Sequence, residues 1–165
     1  MTTVIDGTTG IDKVKDGSIG QADLGPNVAG NGPAFRVTAS GGVTLNTTAK
    51  VSLTSGVKVF DTASAFTLAT SRFQPTVGGY YQINANLTGD GLATSMFLFA
   101  KLYVNGTSYV TGVPGVFNTQ YWSSSVSALV YLNGSSDYLE LWATVVGSTV
   151  NTTGVVFDGF LARAA

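Results

Sequence analysis

Histidine and cysteine are both absent from the 165 residues, and glutamate occurs once, as Glu140. Without histidine there is no Ser-His-Asp or Cys-His catalysis, and the commonest metal ligand is missing. Without cysteine there are no disulfides, no zinc–thiolate clusters and no thiol nucleophiles. Paired catalytic carboxylates of the glycosidase kind would have to come from aspartates, or from Glu140 with one of them. Charge is scarce as well. Lys and Arg total 8, Asp and Glu total 9, and charged residues make up 10% of the chain, against about 25% in an average soluble domain. A folded monomer of this mass exposes roughly 7,700 Å², or roughly 450 Å² per charge, more than twice the usual spacing. Either the surface is unusually neutral or partner chains cover much of it. The net charge of −1 argues against a nucleic-acid-binding surface, which needs clustered Lys and Arg. The longest apolar runs, such as 96–100 and 128–132, are far too short for membrane insertion. The opening residues have neither a basic region nor an apolar core, so no signal peptide is expected.

What is present divides the chain in two. Residues 1–32 carry six of the 17 charges and seven glycines, and the first aromatic residue is Phe35. Frequent glycine interrupts any long helix or strand. The isolated Ile5, Ile11, Val14, Ile19 and Leu24 can be buried only against something else. This segment reads either as a disordered tail or as an arm that orders on a partner or on copies of itself.

Residues 33–165 read as all-β. Apolar and polar residues alternate with period two in many short runs. Examples are Tyr81, Ile83, Ala85 and Leu87 against Tyr80, Gln82, Asn84 and Asn86, and Val126, Val130 and Leu132 against Ser125, Ser127 and Tyr131. Val51 and Leu53 flank Ser52 in the same way, and a last strand is expected from about 155 to 162. Gly41-Gly42, Asp90-Gly91, Asn105-Gly106 and Asn133-Gly134 supply turn signals between runs. Many short strands at this spacing predict an antiparallel sandwich or jelly roll.

Asp61, Phe66, Phe73, Gly79 and Tyr81, with four, six, five and one residues between them, resemble the signature of the complement-component-1q globular domain. That family shares its jelly roll with tumour necrosis factor. Lys101–Gly106, Asp137–Trp142 and Phe157–Leu161 resemble its later strands in the same order. The resemblance covers residues 33–165 and implies a ten-stranded antiparallel jelly-roll sandwich that assembles as a homotrimer. Lys101 and Glu140 lie among aromatics, and in the jelly-roll fold that the resemblance implies their strands are neighbours, so a cross-strand ion pair is expected. The N-terminal segment resembles parts of bacteriophage virion and tail-fibre proteins that carry such heads. It implies an extended arm, residues 1–32, anchored on other virion structural proteins through Ile5, Ile11, Val14, Ile19 and Leu24.

The residues themselves say what the strands need not do. Phe66, Phe73 and Tyr81 serve as core fillers, and Gly79 suits a turn or bulge. Asp90 and Asp137 sit at turn signals, where aspartate is favoured without any catalytic role. Asp90 belongs to no acidic cluster with calcium-ligand spacing. The resemblance places the strands around 80–86 and 121–131 in one sheet that faces the three-fold axis of family trimers, so the expected trimer interface is the neutral, semi-polar face made by Tyr80, Gln82, Asn84, Tyr121, Ser123, Ser125, Leu129 and Tyr131. In the family's strand order the connections near Gly41, 88–95, 112–120 and 147–153 gather at the end away from the arm, and the Asn105-Gly106 and Asn133-Gly134 hairpins fall at the arm end. The loop 112–120 is the expected recognition tip, with Val113, Val116, Phe117 and Asn118 as contact residues. The function expected is a non-enzymatic virion-surface protein, assembled in the bacterial host cytoplasm, whose head meets a host cell-surface glycan or protein. The alternatives are a capsid decoration or head-fibre protein, and a bacterial surface adhesin or lectin. No cofactor is expected.

Overall fold

The computed structural model describes residues 31–41, 43–90, 97–114, the backbone of 116–117, 121–147 and 149–165. The expected arm residues Ile5, Ile11, Val14, Ile19 and Leu24, and Asn118 of the expected tip, lie outside them. The elements are β1 (Ala34–Ala39), β2 (Thr44–Leu45), β3 (Ala49–Lys50), β4 (Val57–Asp61), β5 (Phe66–Thr67), β6 (Arg72–Phe73), β7 (Gly79–Asp90), β8 (Phe97–Val104), β9 (Thr107–Pro114), β10 (Val116–Phe117), β11 (Tyr121–Leu132), β12 (Leu139–Val146) and β13 (Val150–Ala164). A 3-10 turn, Leu68–Thr70, joins β5 to β6. Two antiparallel sheets face each other. Sheet A runs β10-β11-β7-β13-β1-β4, with β2 also on β13; sheet B runs β5-β6-β12-β8-β9, with β3 also on β12. In place of the expected ten strands, the described residues form eight strands of five residues or more and five of only two. The short pieces fall where Ser, Thr and Gly crowd the sequence and break the ladders. Val51 and Leu53 illustrate this. Both are fully buried, yet they lie outside a strand: the Val51 amide donates to the Leu141 carbonyl at 2.9 Å, but the Leu53 amide donates to the Ser71 hydroxyl at 2.8 Å instead of to a neighbouring backbone.

Period-two alternation translates directly into the two-layer core. Along β7 every odd residue from Gly79 to Gly89 is buried and every even one is partly or fully exposed. β11 repeats the pattern. The last strand is longer at both ends than the alternation alone marks, and pairs along its length with β7. Near the start of β1, Phe35 stacks on Phe73 (4.2 Å) and Phe66 (5.3 Å) and meets Phe157 edge-on at 5.1 Å. Phe35 and Phe157 belong to sheet A and Phe66 and Phe73 to sheet B, so this cluster staples the layers together.

The signature residues are structural. Asp61 accepts from the amides of Ala65 (2.8 Å) and Phe66 (3.1 Å), fixing the turn that aims Phe66 inward. Tyr81 is buried and donates to the Val77 carbonyl at 2.6 Å. A side chain at Gly79 would collide with the Arg163 carbonyl, where β13 bulges past β7.

The turns divide as expected, with one correction. Asn105 and Gly106 both have positive φ (53° and 76°) and turn β8 into β9 as a tight hairpin. Asn133-Gly134 is not a hairpin: it opens the passage from β11 in sheet A to β12 in sheet B. There the Asn133 side-chain oxygen accepts from the amides of Ser135, Ser136 and Asp137. Both turns lie at the end of the sandwich where β1 begins, joined by the bond from Asn105 Nδ2 to Asp137 Oδ1 (2.8 Å) and the bond from the Tyr138 amide to Asn105 Oδ1 (3.0 Å).

Candidate assembly interface

The outer face of sheet A is built by the even residues of β7 and the odd residues of β11. Register places them in rows: Tyr80 beside Tyr131, Gln82 beside Leu129, Asn84 beside Ser127, Asn86 beside Ser125 and Thr88 beside Ser123. All eight residues expected at a trimer interface therefore lie on one continuous face. The half nearest the start of β7 is apolar for a water-facing surface. Tyr80 and Tyr131 lie with ring centroids 5.4 Å apart, and Tyr131 and Leu129 are 47% and 51% exposed.

β13 and β1 widen this face with residues that the sequence alone did not nominate. Phe160, 50% exposed, stands beside Gln82. Asp158 stands beside Asn84 on one side and Arg36 on the other. The Asp158 carboxylate is neutralised at 2.7 Å by Arg36. It also accepts from Asn84 Nδ2 at 3.1 Å. Asn84 Oδ1 in turn accepts from Ser127 at 2.9 Å, and Ser127 Oγ accepts from Gln82 Nε2 at 2.9 Å. A chain of polar contacts thus crosses four strands, satisfied within the chain, between an aromatic patch and the far end. A shallow groove of about 310 Å³ runs beside it, lined by Asn84, Asn86, Ser125, Ser127, Val156 and Asp158. Such a face is complementary to another neutral surface: few charges need desolvation, and Gln82, Asn84, Ser127 and Asp158 already have partners.

At the free edge, Ser124 closes sheet A onto sheet B. It is buried, accepts from the Ala100 amide at 2.9 Å and donates to the Val113 carbonyl at 2.9 Å. Tyr109 adds a bond from its hydroxyl to the Leu129 carbonyl at 3.1 Å. Ser124 breaks the apolar pattern of its buried face, and the break is the signal that marks it as a linker.

The expected tip is not one loop. Val113 belongs to strand β9, is exposed, and ends sheet B. Val116 and Phe117 form β10 and pair with Ser123 and Trp122 in sheet A. The segment therefore bridges the two sheets, held close by Gly112, whose missing side chain lets the backbone approach the Ser125 carbonyl. Thr88–Asp90, Pro114 and Val146 gather at this far end, as the registers of β7, β9 and β12 require.

The outer face of sheet B differs. Glu140 is paired, but not with Lys101: register sets Lys101 opposite Trp142 and Glu140 opposite Tyr103. Glu140 Oε1 instead accepts from Arg72 Nε at 2.8 Å and Lys50 Nζ at 3.2 Å, and Oε2 accepts from Trp142 Nε1 at 2.9 Å. Burial pushes the Glu140 carboxyl up, but the hydrogen bonds from Arg72, Trp142 and Lys50 outweigh it and hold the group below the ordinary glutamate range. Its bond to Glu140 raises Arg72 in turn. Tyr81, buried in the core, is pushed up to about 12 by desolvation. Among the described residues no group of three or more acidic side chains is arranged to hold a metal ion, and Asp137 is engaged with Asn105 and Asn133. No helix of the described residues is long and apolar enough to cross a membrane.

No protein-family model matches the sequence, and no curated protein matches it. Solved structures do. The globular domain of zebrafish complement 1qA is 18% identical, with a TM-score of 0.51 over 81% of this chain and 98% of that one. The PRD1 vertex protein P5 is 17% identical, with a TM-score of 0.59 over 79% and 96%. The Eiger tumour necrosis factor of S. frugiperda is 12% identical, with a TM-score of 0.55 over 81% and 96%. The chain therefore has the jelly-roll fold of complement-1q and tumour-necrosis-factor heads, shared with a phage vertex protein.

Proposed function

We propose that the protein is a non-enzymatic structural component of a bacteriophage virion, a homotrimer whose sheet A faces turn toward a common three-fold axis. The observation that carries this reading is the outer face of sheet A, where exposed Tyr80, Leu129, Tyr131 and Phe160 adjoin an internally satisfied polar network. A monomer gains nothing from such a face, whereas self-association buries it without stranding charge. Tyr80, Gln82, Asn84, Tyr121, Ser123, Ser125, Leu129 and Tyr131 form the contact. The fold of the PRD1 vertex protein supports a place on the particle surface. Residues 1–32 form the arm that fixes the 33–165 head to other virion proteins. The far end, with Val113 and the 116–118 segment, points outward for attachment to a host surface.

A second reading, a capsid decoration or vertex protein with a mechanical task, is favoured by the same likeness, since the PRD1 protein of this fold is a vertex protein. Labelling the protein on intact particles separates the two: tail location supports attachment, and vertex or capsid location supports decoration. Deleting residues 1–32 leaves a folded trimer that no longer joins particles; normal incorporation of the truncated chain would show that the arm is not the anchor.

A further inference from the structure

The described strands divide their cations evenly, Arg36, Lys58 and Arg163 in sheet A and Lys50, Arg72 and Lys101 in sheet B, but not their acids: Asp61, Asp90 and Asp158 lie in sheet A and Glu140 in sheet B. Lys50, Arg72 and Lys101 all rise from the outer face of sheet B, on β3, β6 and β8, and the acid set among them is the buried Glu140. Three positive groups against one negative leave the patch with a charge of +2 on a chain whose net charge is −1. Lys101 takes part in none of the ion pairs among the described residues.

The aromatics of this face are fixed among those charges. Trp142 stands between Lys50 and Lys101 in register. Tyr103 stacks on it with centroids 4.3 Å apart and planes 14° from parallel. The Arg72 guanidinium lies 3.9 Å over the Tyr138 ring. Glu140 organises all of this: one oxygen holds Arg72 and Lys50, and the other holds the indole N–H of Trp142. A buried carboxylate that ties down two cations and an aromatic ring pre-organises the face, so little side-chain freedom remains to be lost on binding.

We propose that this face binds an acidic polysaccharide, with Lys101, Lys50 and Arg72 meeting its carboxylate or sulfate groups and Trp142, Tyr103 and Tyr138 packing against the C–H faces of its sugar rings. Charge complementarity selects an anion. Amphipathic Tyr and Trp rings suit a ligand that is apolar on one side and hydroxylated on the other. A regular polymer fits a flat sheet face better than a compact ligand, which needs a concave site. A nucleic acid is disfavoured: among the described residues, no further Lys or Arg extends the patch into a stripe that could follow a phosphate backbone. The proposal rests on the trimer reading in one respect, that assembly covers sheet A and leaves sheet B outward.

Calorimetric titration of the full chain with dextran sulfate, uncharged dextran and oligothymidylate tests it, with light-scattering mass measured on the same samples. Dextran sulfate should bind in a salt-sensitive manner and uncharged dextran should not. Lys101→Gln should weaken binding about tenfold, the loss of one charge-assisted contact. Arg163→Gln, with the same net charge but placed on sheet A, should not weaken it. Tyr103→Leu should weaken binding while leaving the melting temperature close to the parent's. No binding by a trimeric sample, equal loss in Lys101→Gln and Arg163→Gln, or equally tight oligothymidylate binding would each overturn the proposal. A monomeric sample that binds with the expected pattern would overturn the trimer reading and support the polysaccharide site on sheet B.

Discussion

The two outer faces of this sandwich come from strands of similar composition, yet they solve opposite problems. Sheet A carries half-exposed Tyr80, Leu129, Tyr131 and Phe160, and its acid–base pair, Asp158 with Arg36, is tied into a neutral network. Sheet B exposes Phe97 and Tyr109 as well, but its Tyr103, Trp142 and Tyr138 are packed on one another and on cations gathered around one buried carboxylate. The first face is easily desolvated and specific in its polar pattern, which suits a protein neighbour. The second keeps its charge and orders its rings, which suits water and charged ligands. In a chain with so few charges, where those charges sit separates a face made to be covered from one made to stay open.

Both faces rest on one shared core, and Phe35→Ala breaks that core. It removes the ring that joins Phe157 of sheet A to Phe66 and Phe73 of sheet B. The expected loss is about 3–5 kcal/mol of unfolding free energy in urea titration. On sheet B, Glu140→Gln weakens three charge-assisted bonds and should cost about 1.5–3 kcal/mol, with the near-ultraviolet signal of Trp142 altered. The same substitution made in the Tyr131→Arg background should cost a similar amount, because the two sites lie on different sheets and share no contact.

On sheet A, Tyr131→Arg and Gln82→Glu each place like charges around the proposed axis. Each should weaken trimer association at least tenfold, about 1.4 kcal/mol, while the head's unfolding changes little. Gln82→Glu also turns a donor to Ser127 into a second acceptor. A variant that unfolds instead of dissociating would assign the face to packing.

Titration gives the smallest effects, and they separate surface from core. The Glu140 carboxyl is held below its ordinary range in the folded chain. Its contribution is therefore complete above the unfolded glutamate pKa and is lost as the pH falls through the lower folded value. Glu140→Gln should flatten this acid limb of the stability curve. Tyr81 behaves in the opposite sense. Its folded pKa is raised to about 12, so its contribution is complete below the ordinary tyrosine value of about 10 and is lost between there and about 12. Tyr81→Phe should remove that alkaline loss.

Much of this was legible in the sequence. Period-two alternation in 79–90 and 121–132 marked both the buried rows and the outward face, because a strand's side chains have only two directions to take. Asn105-Gly106 marked a tight hairpin because two consecutive positive φ values demand such residues. What local pattern could not supply was register between distant strands. Lys101 and Glu140 do lie on neighbouring strands, but an offset of two residues hands Glu140 to Arg72 and Lys50, 68 and 90 residues away. Asn133-Gly134 looked like a hairpin because turn chemistry reports the bend and not the sheet to which the chain returns. Asp158, Arg36 and Phe160 joined the assembly face only once β13 and β1 were placed beside β7.

The most direct test of the account is the mass of the intact protein in solution by size-exclusion chromatography with multi-angle light scattering. Three chains of 17.0 kDa predict about 51 kDa at micromolar concentration, shifting toward the single-chain mass in Tyr131→Arg. A parent protein that elutes at the single-chain mass, or a Tyr131→Arg variant that stays at three, would contradict the assignment of sheet A as the assembly face.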